Sequence, residues 1–154
     1  MDRIKNVHLL KVRTTKEPEF IDITEEIINL IIESGVNDGF VLVYSKHTTA
    51  AIKINENEPL LLKDMEEFLK RIAPKDANYH HNDFAVRTVN MNEDECPNGH
   101  AHCAHLLLST SESIPIINSK IALGQWQRIF FVELDSGFAK NGREREVLVQ
   151  IIGD

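Results

Sequence analysis

Gly39-Phe40-Val41-Leu42-Val43-Tyr44 is followed, across Ser45-Lys46-His47-Thr48-Thr49, by Ala50-Ala51-Ile52-Lys53-Ile54. The first run is rich in β-branched and aromatic residues and suits a buried strand. The second is a further strand, with Ala50, Ile52 and Ile54 on one face because strand side chains repeat every second residue. Upstream, Val7 to Val12 predicts another strand. Asp22-Ile23-Thr24-Glu25 has the spacing of a capping box and predicts a helix to about Ser34. Its stripe is Ile27, Leu30, Ile31 and Ser34, and Gly35 is its stop. Pro59 at a first turn predicts the longest helix, ending near Ala73. Leu61, Leu62, Met65, Phe68, Leu69 and Ile72 form its apolar face, and its charges face solvent.

Residues 75 to 99 are mostly polar and predict no regular element. A loop of that length in a compact domain is commonly functional or partly disordered. His100 to Leu108 predicts a short helix, and strands follow at Ser113 to Ile117, Ile121 to Leu123, Arg128 to Leu134 and Glu146 to Ile152. Strands interrupted by two main helices and a short one give a β-rich α+β domain over 1–154, with largely antiparallel pairing.

The chain has 154 residues, 42% hydrophobic and 27% charged, which is ordinary for one globular domain. Its net charge of -7 argues against non-specific nucleic-acid binding, which neutralises phosphates with Lys and Arg. No apolar run is long enough to span a bilayer, and Met1 to Asn6 lacks a secretory h-region, so a cytoplasmic address is expected. The two cysteines, Cys96 and Cys103, predict no structural disulfide.

Histidines are the chemistry-bearing feature. His80-His81 and Asn98-Gly99-His100-Ala101-His102-Cys103-Ala104-His105 lie in or beside the polar loop, and His47 lies between two strands. Neutral imidazole is a common zinc ligand, and such sites draw on three or four side chains. His47, His81, His100 and His102 are the candidate metal set. In extended backbone His100 and His102 share a side, whereas in a helix they diverge. Glu133, among Phe130, Phe131, Val132 and Leu134, either faces solvent or pairs with a cation inside. If inside, it is a candidate general base or an orienter of a metal-bound histidine. Trp126 reads as a packing residue.

His47-Thr48-Thr49-Ala50-Ala51, Ile54-Asn55-Glu56-Asn57 and Asn98-Gly99-His100-Ala101-His102 resemble segments of the YjbQ-like proteins. The resemblance continues through Ile114-Pro115, Leu123-Gly124-Gln125-Trp126-Gln127, Glu133-Leu134-Asp135 and the Arg143-x-Arg145 pair, in order along nearly the whole chain. It implies a small α+β fold that assembles as a homotrimer. It also implies secondary thiamine-phosphate synthase activity, in which a thiazole phosphate nitrogen attacks a pyrimidine methyl carbon and pyrophosphate leaves. Positions carried over are His47, Asn55, His81, Asn98, His102, Gln127, Glu133, Arg143 and Arg145, with His100 where relatives use His or Asp.

The expected site therefore has Glu133, His47 and His102 as catalytic groups. Arg143, Arg145, Asn55, Thr48, Gln127 and Asn98 would hold a small phosphorylated metabolite, the arginines by bidentate bonds to its phosphates and Thr48, Thr49 and Asn55 as neutral donors. The competing reading of the arginines is an exposed edge or a salt bridge with Glu144 or Glu146. Zinc or another transition metal fits the histidines; magnesium fits pyrophosphate departure but prefers oxygen ligands. A non-catalytic metal- or phosphometabolite-binding module and a purely structural trimer are the alternatives. This chain departs from relatives in Gln125, where they have Thr, and in the lengthened loop Ser136 to Gly142.

Overall fold

A computed structural model describes residues 6–137 and 142–154; most of the Ser136 to Gly142 insertion lies outside them. The strands are β1 (Asn6–Thr14), β2 (Glu19–Asp22), β3 (Gly39–Ser45), β4 (Ala50–Asn55), β5 (Ser111–Ile117), β6 (Lys120–Ile121), β7 (Arg128–Glu133) and β8 (Arg143–Gly153). The helices are α1 (Thr24–Ser34), α2 (Pro59–Ile72) and α3 (Gly99–His105), with one 3-10 turn at His80–Asn82. One sheet has the order β1-β8-β3-β5-β6 and the other β2-β7-β4. Every pairing between these strands is antiparallel, so the α+β, largely antiparallel expectation holds.

Alternation along β4 and β7 builds three layers. Ala50, Ile52, Ile129 and Phe131 face the five-stranded sheet and meet Val12, Val41, Val43, Val147 and Val149, with Ile27 and Ile31 of α1 packed into the same core. Ala51, Phe130 and Val132 face the other way and meet Leu69 and Ala73 of α2 and Ala101 and Ala104 of α3. A strand buried on both faces reads as a continuous apolar run, which is why Ile129 to Val132 shows no polar alternation.

Local chemistry sets the helix ends. Gly35 stops α1 in the left-handed region at φ 68, as its position predicts. At the other end Asp22 accepts from the Thr24 N–H and hydroxyl, but Glu25 pairs with Arg128 instead of closing a capping box. Glu58 caps α2 by accepting from Leu60 and Leu61 N–H, ahead of Pro59. Gly99 starts α3 where a Cβ would lie 2.5 Å from Tyr79 Cβ, so only glycine lets the helix approach that ring.

Two expectations are corrected, and one strand was not predicted. β2 carried too short a pattern to be predicted, and Glu19–Asp22 pairs with β7 as an edge strand. The predicted apolar face of α2 is only partly used: Leu69 is buried, while Phe68 and Ile72 are nearly half exposed. Trp126 is 64% exposed rather than packed.

The two sheets are tied at one end by a buried ion pair. Glu133, fully buried on β7, accepts two hydrogen bonds of 2.7 Å from Arg145 of β8. It also accepts from Thr14 of β1 and from the backbone N–H of Leu134 and Asp135. Arg145→Met is expected to cost about 3–5 kcal/mol in urea unfolding, because it strands a carboxylate between the sheets. The pair Arg145→Met/Glu133→Leu is expected to regain most of that loss.

Candidate functional site

The β3–β4 connection, α3, the 3-10 turn and the segment after β7 all lead to the same end of the β4–β7 sheet. Antiparallel register places Ala50 opposite Glu133 and Asn55 opposite Arg128. At about 3.3 Å per residue, Asn55 is therefore roughly 17 Å along the strand from the His47 end. Asn55 and Gln127 do not join the histidines. Gln127 accepts from the Gly124 N–H and closes a turn, and the Asn55 amide caps Glu56 N–H and touches Met65 sulfur. Thr48 is exposed beside His47.

The four candidate metal histidines fall into three settings. His47 Nε2 accepts from the Glu146 backbone N–H at 3.1 Å. Its Nδ1 lies 3.3 Å from an Arg145 guanidinium nitrogen, also a donor, so both ring nitrogens face donors and a neutral imidazole accepts from only one of them at a time. Burial, then the Arg145 charge, lowers the His47 pKa and keeps the ring neutral. His100 is buried on α3 and meets Glu17 at 3.2 Å through Nε2, while its Nδ1 is buried with no partner among the described residues. Only His81 and His102 meet each other, edge to face with ring centroids 4.6 Å apart.

Around that pair the polar groups are ordered by Asp135. Its carboxylate accepts from Asn98 Nδ2 at 2.9 Å and Gly137 N–H at 3.0 Å, and lies 3.5 Å from Arg143. Its carbonyl takes one bond from Arg143 and one from Arg145, each 3.0 Å. Asn98 Oδ1 and His81 Nε2 are buried with no hydrogen-bond partner among the described residues, and Glu95 is 4.0 Å from the latter. Burial, then the neighbouring His81, lowers the His102 pKa, against the opposing pull of Asp135. Arg143 keeps a side chain 40% exposed, while Arg145 is spent on Glu133, Thr49 and Asp135.

Glu17 forms a separate hub. Burial alone would raise its pKa, but hydrogen bonds from His100, Lys75 and Ser136 outweigh that and bring it down to about 2. Asp135 and Glu17 were not among the expected site residues. The Glu-x-Asp motif contained a signal for Asp135; nothing local marked Glu17, whose partners lie 58 or more positions away.

Among the described residues no three of His, Cys, Asp and Glu gather as a metal-holding group. Within one chain the donor set therefore does not fit a transition ion of the expected kind, because His47 and His100 are engaged elsewhere. No described helix is long and apolar enough to cross a membrane.

Comparison with known proteins gives the family and corrects the expected activity. The family model described as UPF0047 protein YjbQ-like matches residues 8–154. The UPF0047 protein of Methanocaldococcus jannaschii is 40% identical over 152 residues, covering 98% of this chain and 97% of that one. That of Methanothermobacter thermautotrophicus is 39% identical over 144 residues, covering 94% and 90%. A solved structure from Sulfolobus solfataricus, described as a YjbQ-like protein of unknown function, superposes with a TM-score of 0.82 at 30% identity, covering 96% of each chain. These relatives are named without an activity. With no metal-holding group gathered among the described residues, the expectation of a metal-assisted thiamine-phosphate-forming enzyme is overturned. By family model, identity and fold together, the chain belongs to the YjbQ-like UPF0047 family.

Proposed function

We propose that the end of the sheet around Asp135 is an acid–base site for a small anionic molecule, with His102 as the proton acceptor. The observation that carries this reading is the His81–His102 contact beside Asn98, where Asn98 Oδ1 and His81 Nε2 are buried without partners among the described residues. Buried polar atoms are nearly always paired, and each orphan costs about 1–3 kcal/mol, so a ligand supplying hydrogen bonds there is stabilised. Arg143 supplies the exposed charge that attracts an anion, and Asp135 fixes both Asn98 and Arg143. His102, kept neutral by burial and by His81, has the protonation state a general base needs. Glu133, Arg145 and His47 serve as the rigid wall behind these groups.

Hydrogen–deuterium exchange at carbon reads proton abstraction directly, whatever the full reaction. A panel of 2-oxo and 3-oxo acids in heavy water, followed by proton NMR, is expected to reveal one or more whose acidic C–H exchanges with the chain present. His102→Gln is expected to slow that exchange by about 10²- to 10⁴-fold with folding intact. Exchange rates equal in wild type and His102→Gln reject the reading. Because the His102 pKa is depressed, the rate should rise with pH through a midpoint below that of a free imidazole.

We also propose self-association through the outer face of the five-stranded sheet. Val7, Leu9, Phe40, Tyr44 and Ile152 all project from that face and are 37–49% exposed. A contiguous apolar face of that kind favours burial against another copy. Sedimentation is expected to give three times the chain mass, and Leu9→Lys/Phe40→Lys to shift it toward the monomer.

A further inference from the structure

The second core layer is incomplete. Along β4 the residues facing α2 and α3 are Ala51, Lys53 and Asn55; the same face carries Phe20, Phe130 and Val132 and, at its Asn55 end, the Arg128–Asp22 ion pair. Lys53 stands directly opposite Phe130 in the antiparallel register, so both side chains project to the same side. Beyond Leu69, α2 turns Met65 and Phe68 toward this face without closing on it. The result is a cleft of about 510 Å³ between helix and strand, with Leu107 and Leu108 after α3 along its side. That volume lies within the roughly 300–1,000 Å³ usual for small-molecule sites.

We infer that this cleft binds a small amphipathic monocarboxylate, its apolar body on Phe20, Phe68 and Leu108 and its carboxylate on Lys53. Charge placement selects that ligand class. Lys53 is half-buried on the floor, and its ammonium has no hydrogen bond or ion pair with any described residue. An ammonium held beside an apolar floor, with no carboxylate of its own, gains from an anion delivered on an apolar carrier. Arg71, whose guanidinium lies 5.9 Å over the Phe68 ring, adds positive charge at the mouth. Asp64 and Glu67 also line the cleft; like Arg71 they are exposed on α2, where water screens all three, which leaves Lys53 as the charge on its floor. This cleft is at the Asn55 end of β4, away from the histidines, and does not depend on the acid–base reading.

The test uses the full chain and three probes with one tail: octanoate, 1-octanol and octylamine, titrated by amide NMR and calorimetry. Octanoate is expected to move the amides of Lys53, Phe68 and Leu108 saturably, and to bind about tenfold more tightly than 1-octanol. Lys53→Met should erase that tenfold advantage while leaving 1-octanol binding as it is, and Lys53→Arg should restore it. Absence of saturable binding overturns the inference. So does equal affinity for acid and alcohol, which leaves only a greasy surface, or a preference for octylamine, which places the charge on Asp64 and Glu67. The three-probe comparison on the unaltered chain decides the matter even if a variant folds poorly.

Discussion

The Arg145–Glu133 pair is the constraint on which the rest of the molecule depends. Two ions removed from water between sheets are tolerable only when geometry is close to ideal and every remaining lone pair is used. Here the carboxylate has five donors, two of them from one planar guanidinium. Because those donors come from β1, the end of β7 and β8, the pair fixes how the two sheets are set against each other. It also decides the fate of nearby groups. Arg145 so engaged holds a like charge near His47, and that imidazole stays neutral behind the wall of the site.

One consequence is that the histidines divide their labour. A single imidazole cluster would have demanded that His47, His100 and the His81–His102 pair leave the partners that hold them. Glu146 N–H and Glu17 keep the first two in place. Asn98 and Arg143 are organised by Asp135, which is itself held through its own N–H by Glu133.

Much of the architecture was readable from pattern. Alternation in Ala50 to Ile54 gave the correct inward face, Gly35 the correct helix stop, and Pro59 the start of α2. The order of motifs along the chain gave the family. What pattern could not carry was pairing across distance. Glu133 reads in the sequence as either solvated or paired inside, but its partner lies 12 residues away across a loop, on another sheet. The helical placement of His100 and His102 turned them to different surroundings, as their spacing in a helix requires. Short β2 and the half-exposed face of α2 escaped because a four-residue strand and a wide apolar stripe are settled by tertiary packing, not by local preference.

The carbonyl of Asp135 takes a bond from Arg143 and another from Arg145, so one oxygen joins the accessible part of the site to the interior. Rotating that peptide would take a bond from each guanidinium at once, leaving Arg143 the Asp135 carboxylate 3.5 Å away and Arg145 its bonds to Glu133 and Thr49. This end of the sheet is consequently stiff, because one peptide oxygen anchors two guanidinium groups, one half-exposed and one buried.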